Sequence, residues 1–235
     1  MSARASFLTS LALFAWCTGG GACAKAASSA PADAKPRTWP AGTVLVLNDV
    51  PIRADDVDSI ASTFAVLEPQ DTPVQLRRLA LSNSTFPLIA AQGIDPARRA
   101  AAEQLARSYR EALEKGDLPA GPLTGPMEIE RGGIFKELGF EFWRAAIDLQ
   151  PGVWSPVIET PGSFHILRVK SRKESSQPGR TRLTIGAFDF PYLDAATVRP
   201  DIEGALDRSR LTILDDSWRD AVPAALRYRF HVESP

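Results

Sequence analysis

Thiols are almost missing from this sequence. Of its 235 residues two are cysteine, Cys17 and Cys23, and both lie before residue 24. The rest of the chain therefore offers no disulfide framework, no thiolate metal site and no cysteine nucleophile. Histidine is equally sparse, with His165 and His231 alone, so no His-Glu-x-x-His helix can be built. Neither charge is in excess: 27 Lys+Arg against 28 Asp+Glu leave a formal net charge of −1. Without surplus cations to displace counterions from a phosphate backbone, a nucleic-acid partner is not expected. Gly-x-Gly-x-x-Gly, a Walker lysine loop and Gly-x-Ser-x-Gly are lacking, and Asp55-Asp56-Val57-Asp58 has neither the glycine nor the terminal glutamate of a calcium loop. The sequence predicts no cofactor and no metal.

The leader also lacks a hydrophobic run long enough to span a bilayer. Arg4 precedes a mostly apolar stretch from Phe7 to Trp16, which ends in the small residues Thr18 to Ala24. That is too short for a permanent transmembrane helix and has the three-part form of a secretory signal peptide. The expectation is an exported protein, periplasmic or held at the cell envelope, with residues 1–24 as its leader. Two maturations fit: plain cleavage at an Ala-x-Ala site, or a lipid anchor on Cys23, whose predecessors Gly21 and Ala22 are suitably small. Residues 25–41, rich in Ala, Ser, Pro and Lys, bury too little apolar surface to offset their ordering entropy and read as a flexible tether.

What remains is an ordinary globular composition, 44% hydrophobic and 23% charged, with 19 prolines and 16 glycines that predict short, punctuated elements. Thr43 to Leu47 reads as a strand, Asn48-Asp49 as a turn, and Asp55 or Asp56 as the cap of a helix carrying Val57, Ile60, Ala61 and Phe64. A helix from Val74 towards Asn83 is expected to stop before Pro87, and the clearest helix runs from Pro96 to Lys115 with Leu105, Tyr109 and Leu113 on one face. Phe140 to Leu149 reads as a helix. Two strands flank Thr160-Pro161-Gly162, a further strand covers Leu183 to Phe190, a helix runs from about Pro200 to Trp218, and a last strand lies within Arg227 to Val232.

The ordered set Gly132-Gly133-Ile134-Phe135, Phe142-x-x-Ala145-Ala146-x-x-Leu149, Gly152-Val153-x-Ser155-Pro156-Val157 and Gly162-Ser163-Phe164-His165-Ile166-Leu167 resembles the second half of a parvulin, or PpiC-type, domain. The segment Val46 to Ile52 and the run from Val198 to Leu206 are similar to the flanks of SurA/PrsA-like exported foldases. The resemblance implies an α+β fold, a parvulin-like module with a small antiparallel sheet inserted between the N- and C-terminal segments of a mainly helical chaperone lobe. Its divisions are 42–95 for the N-terminal lobe segment, 96–173 for the module and 181–235 for a strand and helix returning to the lobe.

The resemblance also implies an activity, peptidyl-prolyl cis-trans isomerisation of unfolded or partly folded exported polypeptides, without a cofactor. It assigns Phe135, Leu138 and Phe142 to the proline pocket, and His165 and Thr160 to the polar network beside it. Two family features are absent. No histidine is available for the His-Ile-Leu strand that opens the domain, and Pro126 stands at the usual Cys or Asp position, with Glu128 the nearby acid. Leu183 to Phe188 is a candidate to fold back in place of that first strand. The competing function is an impaired module that holds clients without turning them over.

Overall fold

The computed structural model describes residues 37–116, 126–177, 179–228 and 230–233, the last three by backbone alone. The segments read as a signal peptide and, for the most part, as a tether lie outside the described residues together with Cys23, as does the side chain of His231.

The chain enters on β1 (Thr43–Leu47), turns through Asn48 and Asp49, and returns as β2 (Val50–Arg53). Both turn residues have positive φ, 50° and 67°, the twist that a two-residue hairpin demands and that Asn and Asp tolerate best. Next comes α1 (Ala54–Leu67), which buries Val57, Ala61 and Phe64. Asp55 and Asp56 lie inside its first turn and do not cap it; Arg53 holds the cap position, so the two carboxylates act on the helix dipole instead.

A Thr72/Gln75 capping box starts α2 (Pro73–Ala80), and the helix does not stop before Pro87. It continues through a π-helical turn, Leu81–Thr85, into α3 (Phe86–Gln92). The widened turn accommodates a residue that has no N–H and whose ring would strike the carbonyl four positions back. Asp95 caps α4 (Pro96–Lys115) by accepting from the Arg98 amide at 2.9 Å, and Gly116 ends it at φ 74°. The helix buries Ala102, Ala106 and Leu113, whereas Leu105 is 55% exposed. Small alanines at four-residue spacing let the helix approach the sheet closely, which rotates Leu105 outward.

The second half contains β3 (Ile129–Gly133), α5 (Phe135–Leu138), α6 (Phe140–Ile147), β4 (Ile158–Thr160), β5 (Ser163–Lys173) and β6 (Arg182–Pro191). After these come α7 (Val198–Asp207), β7 (Arg210–Ile213), a 3-10 turn at Asp216–Ala221, α8 (Ala224–Arg227) and β8 (His231–Glu233). The helix expected to reach Trp218 thus ends at Asp207. Leu211 and Ile213 alternate with exposed or half-buried neighbours and pair with β1, so period two overrides the helical reading.

Among the described residues two four-stranded sheets result, in the orders β2-β1-β7-β8 and β3-β6-β5-β4. The first joins both ends of the chain: β1 pairs antiparallel with β7, and β7 pairs parallel with β8. Asn48 strengthens that junction by donating to Ser209 Oγ at 2.8 Å and accepting from the Arg210 amide at 2.9 Å. The second sheet is antiparallel throughout.

The strand expected to return to the lobe from residue 181 belongs to the second sheet. β6 runs between β3 and β5, in the interior of the sheet. Its side chains alternate. Leu183, Ile185 and Ala187 lie fully buried with Leu167, Val169, Trp143 and Ala146 under α6, while Phe188 and Phe190 join the larger core shared with α4 and the lobe. A central strand with two apolar faces is worth more to the fold than an edge strand, since each fully buried Leu or Ile contributes about 1.5–3 kcal/mol.

Candidate active site on the second sheet

Strand periodicity decides where His165 points. On β5 the even residues Phe164 and Ile166 enter the core beneath α4, and the odd residues Leu167 and Val169 face α6, so His165 falls on the α6 side. Register then supplies its neighbours. Ile158 of β4 and Asp189 of β6 stand directly across from it, and Thr160 pairs with Ser163 one step along the same face.

These placements close a hydrogen-bonded chain. Thr160 Oγ1 lies 2.8 Å from His165 Nε2, and His165 Nδ1 lies 2.7 Å from Asp189 Oδ1. The second oxygen of Asp189 takes an ion pair from Arg131, which reaches across from β3. Burial pushes the Asp189 carboxyl up, but the hydrogen bond from His165 and the charges of His165 and Arg131 outweigh it and hold its pKa below the ordinary aspartate value. An ionised carboxylate only accepts, so Nδ1 carries the imidazole proton and Nε2 faces the Thr160 hydroxyl.

An aromatic lid completes the site. The Phe142 ring, half-buried on α6, lies 4.6 Å from the His165 ring, and the Arg131 guanidinium sits 4.8 Å from the Phe142 centroid. Leu138 packs with Phe142 on the same small core. His165 itself is only 6% exposed, so Phe142 is the member of the pair that meets solvent.

Phe135 packs on the same small core as Leu138 and Phe142 and also reaches the larger core. Its ring packs edge-on against Phe64, Phe140 and Trp143, at 6.5, 6.4 and 5.8 Å. Phe64 comes from α1 and stacks on Phe140 at 4.3 Å, which makes an apolar seat between lobe and module. Phe135 stays half-buried there. Glu128 departs from its expected place. It sits on the opposite face, paired with Arg168 and Lys170 at 2.8 and 3.2 Å, and is a surface ion pair.

The Gly152 to Ser155 part of the motif is structural. The Gly152 amide donates to the Val169 carbonyl and the Ser155 amide to the Leu167 carbonyl, extending the sheet alongside β5. The turn that presents Thr160 is anchored by α3, α4 and the residue after β6. Glu159 takes two hydrogen bonds from Arg99 at 2.6 and 2.7 Å and one from Gln92 at 3.0 Å, while Tyr192 donates to Glu159 and accepts from the Gly162 amide. Burial pushes the Tyr192 phenol up to about 12, so it stays protonated as that donor. A second tie joins Ser84, in the π-helical turn, to the half-buried carboxylate of Glu141, next to Phe142.

Asp189 and Arg131 are the site residues that the sequence motif did not reveal. The signal was present in β6: Leu183, Ile185, Ala187 and Asp189 share one phase, so a charge sits in line with three buried apolar residues.

Half-buried aromatic surface over a hydrogen-bonded imidazole offers an apolar seat for a chain segment beside a fixed polar network. The family comparison agrees. Residues 82–179 match the family model of the PPIC-type PPIASE domain, so the chain carries a parvulin domain. That domain is a peptidyl-prolyl cis-trans isomerase, and its substrates are proline-containing polypeptides. No curated protein and no solved structure matches the chain. The family match stops at residue 179, before β6 and therefore before Asp189.

Proposed function

We propose that the chain is an exported foldase that isomerises X-Pro bonds in unfolded or partly folded envelope or secreted proteins. The observation that carries the site assignment is the meeting of Phe142, His165 and Thr160 on one sheet face. Rotation about an X-Pro amide faces a barrier of about 18–20 kcal/mol because resonance holds the peptide planar. In this reading Phe142 and Leu138 receive the proline ring and strip water from the amide. Water favours the polar planar form, so its removal assists twisting, and the polar network beneath fixes the geometry in which the twisted amide is received. The exposed Ile129, on the same face as Ala187, extends the apolar surface towards flanking client residues.

Export rests on the leader sequence, and a periplasmic or envelope location, with or without lipid on Cys23, follows from it. Mass spectrometry of the mature N-terminus tests this part: an intact Met1 end overturns it. A second role, holding clients without turnover, draws on Pro126 at the usual Cys or Asp position and on the absence of a second histidine for the site.

The deciding assay compares cis-trans isomerisation of a short proline peptide by the intact protein, His165→Ala and Phe142→Ala. The proposal expects rate enhancement by the intact protein and a loss of about tenfold or more in each variant. Equal, uncatalysed rates in all three, together with suppressed aggregation of an unfolded client, support holding alone.

A further inference from the structure

We infer that Asp189 is a positioning residue for the isomerase site, fixing the tautomer and orientation of His165 from a strand that follows the family-matched domain. The inference rests on the assignment of His165 above. Three observations carry it. β6 runs through the centre of the second sheet and sets Asp189 directly opposite His165. The Asp189 carboxylate meets Nδ1 at 2.7 Å while Thr160 meets Nε2 at 2.8 Å, so both ring nitrogens are engaged. Arg131 engages the other carboxylate oxygen, leaving one oxygen for the imidazole.

The first strand of the domain is where the family places its other histidine, and this chain has no histidine to put there. Asp189, carried by the interior strand β6, supplies a partner for His165 of different chemistry. A carboxylate can only accept, so it enforces Nδ1–H, whereas an imidazole can take either role. Thr160 then meets a bare Nε2 when the ring is neutral. When the ring is charged, Nε2–H donates to Thr160, whose hydroxyl turns to the Ser163 carbonyl at 3.4 Å. The Nδ1 proton is common to both states.

Asparagine at 189 reverses the polarity. Its amide oxygen faces Arg131, its NH₂ faces Nδ1, and the proton of the neutral ring moves to Nε2, as happens when a carboxylate orienting a catalytic histidine is made an amide. The test is ¹⁵N NMR of the histidine side chains in the full-length wild type and Asp189→Asn, with peptide isomerisation and thermal unfolding measured on the same samples. The inference expects an Nδ1 proton on His165 in the wild type, an Nε2 proton in Asp189→Asn, and a fall of about tenfold in isomerisation without a matching loss of stability. A wild-type ring protonated on Nε2 alone overturns it, and that reading needs no variant to fold. An unchanged rate in Asp189→Asn despite the tautomer shift also overturns it. The assignment of the site fails differently: His165→Ala then keeps the wild-type rate whatever the tautomer of the ring.

Discussion

Replacing Ile185 by alanine asks whether β6 is the centre of the module or an appendage to it. Ile185 is fully buried; it pairs with Arg131 on one side and Val169 on the other and packs beneath α6 with Trp143 and Ala146. A large-to-small change at such a site costs about 2–5 kcal/mol, the transfer term plus the cavity left behind. For a chain of this size each kcal/mol lowers Tm by about 2–4 °C, so the variant should melt about 4–20 °C below the wild type. Leu105→Ala is the control. Its side chain is largely exposed on α4, and its removal should stay within about 0.5 kcal/mol. The assay is urea or thermal unfolding followed by tryptophan fluorescence, in which Trp143 reports on the same core. Ile185→Ala no less stable than Leu105→Ala would refute the placement of β6. The same reasoning predicts that a fragment ending at residue 179 loses its folded sheet, because β3 and β5 lose the strand between them.

Two further perturbations probe how the module is tied to the lobe. Burial pushes the Glu141 carboxyl up, against the opposing hydrogen bond from Ser84 and the charge of Arg144. A folded pKa above the unfolded one means that the native state gains relative stability as pH falls through the folded value, and that the ionised form is a burden at neutral pH. Glu141→Gln, which still accepts from Ser84, should therefore melt at or above the wild type at pH 7, with the difference vanishing as pH falls below the ordinary glutamate range. A variant less stable at pH 7 contradicts that sign. Gly162 adopts φ 98° in the turn that presents Thr160, and an added Cβ would meet Val198 Cγ2 at 2.7 Å. Gly162→Ala should cost about 1–3 kcal/mol by denaturant unfolding, and an unchanged midpoint counts against the turn geometry.

Much of the module was legible because its signals are local. The helix at Phe142 and the strand at His165 each follow from short-range pattern, and the polar pair Thr160–His165 spans a single tight hairpin, whereas Gly132 and Gly133 of the motif end strand β3. The parts that were not legible depend on distant pairing. Ile202, Leu206 and Ile213 fit a helical stripe, yet Ile213 is drawn into a strand by β1, far away in sequence. Phe135 has the right place in the motif and shares a core with Leu138 and Phe142, but its contact with Phe64 comes from α1, which nothing near residue 135 announces. Asp189 was hidden for a related reason. Its phase with Leu183, Ile185 and Ala187 is plain in the sequence, but its meaning depends on which strands lie on either side of β6.

The most direct measurement of the central claim is exchange NMR on a proline-containing peptide with a catalytic quantity of the full-length protein. Exchange between the cis and trans signals should accelerate with the wild type, and peptide-induced shifts should gather on Phe142, Leu138 and the His165 strand. Phe142→Ala should return the exchange to the uncatalysed rate. Acceleration that survives Phe142→Ala undiminished, with shifts gathering elsewhere on the protein, contradicts the site described for this chain.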